Sequence, residues 1–153
     1  MILAILLLAM QTTTGEEPVA PYVQADANAG ARPFRDDATF EAFHGQEGVD
    51  RIVDDFTDRN IADPRIADIF KGQDLIRFRR VLKEHFCYVL GGGCAYTGRT
   101  MKDAHADMGL QSADMGALVE NLQAAMEAEG VPFTAQNRFL AKLAPMKRDI
   151  VER

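Results

Sequence analysis

The sequence predicts a single all-α domain, and three observations carry that prediction. From Asp36 onward apolar residues recur at helical spacing, with no alternating run that would make a strand. Turn-forming breaks separate these runs at Asp63-Pro64, Lys71-Gly72-Gln73-Asp74, Gly91-Gly92-Gly93, Thr97-Gly98 and Val131-Pro132. The chain has 153 residues, 47% hydrophobic and 26% charged, which is enough to bury one core without staples.

Taken in order, Asp36 or Asp37 can cap a short helix carrying Phe40 and Phe43 that ends near Gly45. A second helix runs from about Gln46 to Ile61, with Val49, Ile52, Val53 and Phe56 at helical spacing. Asp63-Pro64 then opens a helical turn through Ile66 and Ile69 to Phe70. The next helix, Leu75 to Leu90, has the apolar stripe Leu75, Phe78, Leu82, Phe86, Val89 and Leu90, with His85 beside it. A short helix around His105 follows the glycine turns. Ser112 can cap a long helix that stops at Gly130, and Thr134 a final helix that Pro145 kinks or ends. About six helices result.

Upstream of this domain, residues 1–35 read as an apolar, signal-like segment followed by a flexible linker. MILAILLLAM carries no charge but is shorter than the ~20 residues a membrane span needs, so stable membrane insertion is not expected. It matches the apolar core of a secretory signal without the usual positive flank, and small-x-small sites follow at Ala25-Asp26-Ala27 and Ala27-Asn28-Ala29. The reading favours a periplasmic or otherwise exported protein, with cytoplasmic residence as the alternative. Cys87 and Cys94 fit no zinc or covalent-haem spacing. Export would favour a bridge between them, and the cytoplasm two inert thiols. A net charge of −6 and a pI near 5.0 argue against nucleic-acid binding.

The chemistry gathers in YTGRTMKDAHADMGL, Tyr96 to Leu110. On a helix, Met101, His105 and Met108 share one face. An imidazole on an apolar face is a core histidine or a metal ligand, and the residues alone leave both open. No serine–histidine–aspartate set, catalytic carboxylate pair or phosphate-binding loop is present.

The order of landmarks resembles the truncated haemoglobins of group I, with helices arranged two over two. The matching segments are FHGQEGVDRIVDDF, DPRIADIF, VLGGGCAYTGRTMKDAH, GVPF and LAKLAPM, covering about residues 38 to 150. The resemblance implies that residues 36–153 form a truncated globin domain, a two-over-two helical sandwich holding haem b (heme b). His105 falls at the position of the proximal iron ligand. Phe70 matches the aromatic that packs on the porphyrin, and Met101, Met108, Leu110, Met115, Leu118 and Leu143 match the proximal side and floor. Arg79, Arg99 and Lys102, with Tyr96 as a hydroxyl donor, are the candidates for the haem propionates.

The distal side departs from the family pattern. Thr57 stands where many members have a ligand-binding tyrosine, and Leu82 where a glutamine is common. Phe78 is its neighbour, Phe86 matches a channel-gating aromatic, and His85 borders the same stripe. Thr57 is then the obvious local donor, with His85 a further distal donor or a sixth ligand. The resemblance implies reversible binding of oxygen or another diatomic gas, with a reductase among the partners it allows. Nitric oxide dioxygenation or a peroxidase-like activity is the alternative, and the missing tyrosine and glutamine weigh against the first.

Overall fold

The computed structural model describes residues 15–152, so the signal-like run MILAILLLAM lies outside the described residues. Eight α-helices follow one another: α1 (Ala38–Ala42), α2 (Gly45–Ala62), α3 (Ala67–Phe70), α4 (Leu75–Val89), α5 (Met101–Ala104), α6 (Ser112–Ala128), α7 (Phe133–Leu143) and α8 (Lys147–Ile150). Single 3-10 turns occupy Asp26–Ala29 and Ala144–Met146, and no strand occurs among the described residues. The two 3-10 turns and the one-turn helix α8 are the elements that the sequence did not lead one to expect. A single turn lacks the periodic signal that marks a long helix.

The long helix α2 is the spine, packing against α4 on one side and α6 on the other, while α7 closes on α1 and α6. Its inward stripe, Val49, Ile52, Val53 and Phe56, is the one that helical spacing picks out, and all four are buried. Across the core, Phe139 of α7 meets Phe43 and Phe86 edge to face, at 5.3 and 4.9 Å between ring centres. A second, smaller cluster of Ile66, Phe70 and Ala117 packs with Phe78, and Leu118 touches both clusters.

Local details differ from expectation at two helix starts. The cap of α6 is Gln111, reciprocally bonded with Asp114, and Ser112 is the first helical residue. Pro132 precedes α7, which places Thr134 inside it. At the end of α4, Cys87 and Cys94 form a disulfide, their Cα atoms 5.7 Å apart. In a loop so short, chain-entropy arguments put its stabilisation at roughly 2–3 kcal/mol.

Residues 16–35 correct the expectation of a flexible linker. They form a strap pinned along α4 and the turn that follows it. Tyr22 donates its hydroxyl to the Thr97 carbonyl at 2.5 Å, Asn28 donates to Gly98, and Asp26 accepts from the Tyr96 amide. Phe34 lies between the Arg138 and Lys142 cations, each 4.8 Å from its ring centre, and its amide bonds the Val89 carbonyl. The glycine turn makes this crossing possible. A Cβ on Gly91, at φ +85°, would sit 2.7 Å from the Phe34 carbonyl oxygen.

Candidate functional site

Leu82, Leu118 and Leu143 pack on the main cluster, and Phe78 and Leu118 on the smaller one. Phe78, Leu82, Met101, Met108, Met115, Leu118 and Leu143 are all half-buried, on α4, α5, the turn after it, α6 and α7. Leu110 is buried at 4% exposure, as is Phe70 at 8%. Phe70 and Phe78 meet edge to face at 5.5 Å. Phe86 packs into the main core against Phe139.

His105 caps the C-terminal end of α5, whose start is held by the Thr100 hydroxyl accepting from the Asp103 amide. Its ring nitrogen Nδ1 lies 2.7 Å from the Met101 carbonyl oxygen. A carbonyl can only accept, so Nδ1 carries the proton and Nε2 keeps its lone pair. That tautomer is the one a metal-binding imidazole needs, with its orientation fixed by the second nitrogen. Burial holds the His105 pKa below the ordinary histidine value, against the opposing pull of the Met101 bond. Among the described residues no group of three or more His, Cys, Asp or Glu side chains is arranged to hold a bare metal ion. His105 would hold the iron of a haem here, the macrocycle would supply its other, non-protein ligands, and the half-buried apolar side chains would enclose it.

The distal residues are placed differently from expectation. Thr57 is fully buried, but its hydroxyl donates to the Val53 carbonyl at 2.7 Å, one turn back on α2. In this rotamer the hydrogen is bonded within the helix, and the oxygen keeps its acceptor capacity. His85 is buried too, and its Nε2–H donates to the Ala29 carbonyl of the strap at 2.8 Å. Its ring packs edge-on against Tyr96 at 5.3 Å, and Nδ1 is buried without a partner. Burial is also the main cause that lowers the His85 pKa, with His105 close enough to contribute.

The basic candidates also shift. Arg79 is committed to Asp54 and Asp58 on α2, which corrects its assignment to the propionates. Tyr96 donates its hydroxyl to the Arg99 carbonyl at 2.8 Å and so braces the turn before α5. Its phenol is pushed up to about 12, chiefly by burial. Gly98 permits that brace, since a Cβ there would lie 2.3 Å from the Tyr96 hydroxyl oxygen. Arg99 and Lys102 are exposed around the start of α5. Sequence reasoning missed the arginine pair Arg77 and Arg80, which grips the strap. Its only sequence signal was a basic run on the polar face of α4.

An all-helical domain with a partly buried imidazole whose Nε2 keeps its lone pair, among half-buried apolar side chains, is the kind of helical protein that can hold a haem. The chain belongs to the bacterial-like globin family, whose model matches residues 38–152. It is similar to the group 1 truncated haemoglobin GlbN of Synechocystis, with 32% identity over 73% of this chain and 95% of that one. The corresponding Mycolicibacterium paratuberculosis protein is 30% identical over 72% of this chain and 82% of its own length. Among solved structures, the truncated haemoglobin of Tetrahymena pyriformis superposes with a TM-score of 0.72, 26% identity, and coverage of 75% and 98%. The 2/2 haemoglobin of a Synechococcus species, solved with covalently attached heme, gives 0.70 and 25% over 75% and 98%.

Both buried histidines titrate below the ordinary value, so the unfolded chain binds more protons than the folded one as pH falls below about 6.5. Stability is therefore full above that value and is lost as pH drops toward the depressed folded values. Urea unfolding of the haem-free protein at pH 7 and pH 5 is expected to show the loss, and His85→Phe to reduce it. Equal midpoints for wild type at both pH values would contradict the assignment.

Proposed function

We propose that this protein binds haem b with His105 as the protein's iron ligand and reversibly takes up a diatomic gas, most readily oxygen. The observation that carries the reading is the 2.7 Å bond from His105 Nδ1–H to the Met101 carbonyl, which leaves Nε2 available to iron. Haem would supply the iron that binds the gas. The chain's residues anchor and enclose it. His105 holds the iron, Phe70 and Phe78 offer aromatic faces, and the methionines Met101, Met108 and Met115 adapt to a flat, rigid ligand.

The distal donors decide between binder and enzyme. The hydrogens of Thr57 and of His85 Nε2 are both committed to backbone carbonyls. A hydrogen bond to a polarised ligand contributes roughly 0.5–3 kcal/mol. A pocket without one favours rapid exchange of gas over dioxygenation of nitric oxide or peroxidase-like turnover. A reductase that keeps the iron ferrous belongs to this reading as the redox partner.

Export to an oxidising compartment is the favoured location. The Cys87–Cys94 bridge and the uncharged MILAILLLAM run support it. Among the described residues no helix is long and apolar enough to cross a membrane.

Three measurements follow. Absorption spectra of the purified protein, oxidised, reduced and under carbon monoxide, are expected to show a haem signature that His105→Ala abolishes or strongly weakens. Unchanged haem retention in that variant would overturn the assignment. Oxygen dissociation by stopped flow is expected to be fast and to change less than about twofold in Thr57→Val, because the lost hydroxyl was bonded within α2. A tenfold faster release in Thr57→Val would mean that the hydroxyl serves the ligand. Thiol alkylation of protein trapped directly from cells is expected to label neither cysteine before reduction, whereas full labelling would place the protein in a reducing compartment.

A further inference from the structure

The segment that leads into α5 has no regular structure of its own. Residues 93–99 lie between the glycine turn after α4 and the Thr100 cap, and among the described residues they make no backbone-to-backbone hydrogen bond. Tyr96 and Gly98 are nevertheless buried, so the polar groups of this stretch need other partners. The strap supplies them. The Tyr96 amide donates to Asp26 Oδ1 at 3.0 Å, the Thr97 carbonyl accepts from the Tyr22 hydroxyl at 2.5 Å, and the Gly98 carbonyl accepts from Asn28 Nδ2 at 3.3 Å. Three consecutive residues are thus held by three side chains of one segment. The Arg99 carbonyl, next in line, is taken by the Tyr96 hydroxyl.

The strap is itself fixed close by. Its 3-10 turn, Asp26–Ala29, ends in a fully buried Ala29 whose carbonyl accepts from His85 Nε2 at 2.8 Å. Gly30 follows at φ +77°, so close to α5 that a Cβ there would lie 3.2 Å from the Met101 Cγ. Met101 is the residue whose carbonyl orients the His105 ring. One segment therefore holds Tyr96, Thr97 and Gly98 by hydrogen bonds and Met101 by contact, the stretch that sets where α5 begins. The strap lies outside residues 38–152, the span that the family model matches, so it is an addition to the matched domain.

We propose that the strap is a buttress for the iron ligand, in which Tyr22, Asp26 and Asn28 act as positioning residues for His105 by fixing the chain that enters α5. The proposal rests on the haem reading above. A helix of one turn does not hold its own geometry, and His105 Nδ1 meets the Met101 carbonyl only while that turn is formed. Bonds to Tyr96, Thr97 and Gly98 remove backbone freedom that the entering chain would otherwise keep. None of the three is made to His105 itself, so their effect passes through the backbone. Phe34, at the far end of the strap, is anchored instead to Val89 and to the Arg138 and Lys142 cations of α7.

The test uses the full chain loaded with haem b. Resonance Raman records the iron–histidine stretch just after photolysis of the carbon monoxide complex, and a haem acceptor times haem loss. Tyr22→Phe/Asp26→Ala/Asn28→Ala is expected to shift or broaden that band and to lose haem threefold faster or more. Asp26→Asn, which keeps an acceptor for the Tyr96 amide, is expected to match wild type in both. Phe34→Leu, at the other end of the strap, is expected to leave the band unchanged. Circular dichroism of each haem-free variant checks that it folds. If the triple variant does not, Tyr22→Phe is read alone and is expected to broaden the band. A wild-type band and rate of haem loss in the variant that is read overturns the proposal. So does an equal change in Phe34→Leu, since it would mean a general loosening of the domain. A wild-type chain that takes up no haem overturns the haem reading itself, a result that the variants cannot mimic.

Discussion

The site depends on one hydrogen bond, His105 Nδ1–H to the Met101 carbonyl at 2.7 Å. It fixes the tautomer, aims the ring and leaves the second nitrogen basic. The bond is local, four residues back along the chain, yet the turn that makes it has little stability of its own. α5 is a single turn, and so short a helix does not persist unaided. Its start is capped by Thr100, and its far side packs against α8. After it, the Glu152 amide bonds the Leu110 carbonyl at 2.9 Å. Upstream, the disulfide and the Tyr96 brace shorten the conformational freedom of the chain that leads into it. The position of the His105 ring is thus imposed by its neighbours on both sides.

The opposite wall is built on other terms. α2 and α4 are long helices, and their polar groups near the cleft bond inside the protein: Thr57 to Val53, His85 to the strap. An unpaired buried donor costs about 1–3 kcal/mol, so a helix that satisfies its own hydroxyl is the stable arrangement in the absence of a ligand. What this gains in stability it removes from ligand recognition. A tyrosine in place of Thr57 would carry its hydroxyl beyond the reach of its own helix. A threonine is short enough to turn back.

The sequence made the sandwich legible because long amphipathic helices and glycine or proline breaks are strong signals, as the stripe Val49, Ile52, Val53 and Phe56 illustrates. The reading of His105 as an iron ligand rests on the register of the segments around it rather than on its own surroundings. Three kinds of feature were not. The donor of Thr57 is decided by a rotamer, which spacing does not encode. The partners of Arg79 and Tyr96 are set by tertiary contacts 25 residues away and by the fold of one turn, respectively. The strap was hidden by its composition: Pro18 and Pro21 resemble a linker, and Glu17, Ala29 and Phe34 bond through backbone groups that any residue supplies. Tyr22 and Phe34 were its two visible aromatic anchors.

The strap also explains an apparent contradiction in the charge pattern. An acidic chain carries a cationic helix, with Arg77, Arg79, Arg80 and Lys83 on α4, a run that elsewhere marks an anion-binding surface. Here each cation has an acidic partner: Asp54 and Asp58 of α2 take Arg79, and Asp54 also takes Lys83, while Glu16 and Asp74 face Arg77 and Glu16 and Glu84 face Arg80. Isolated pairs of this exposure contribute little, but shared carboxylates in a network fix several side chains at once. The positive face of α4 therefore acts as an adhesive between helices and strap. With its charges matched internally, the net charge of −6 is left to the outer surface. Of these partners Glu16 alone sits on a segment outside the helical sandwich, so the network that joins α2 to α4 also holds the strap.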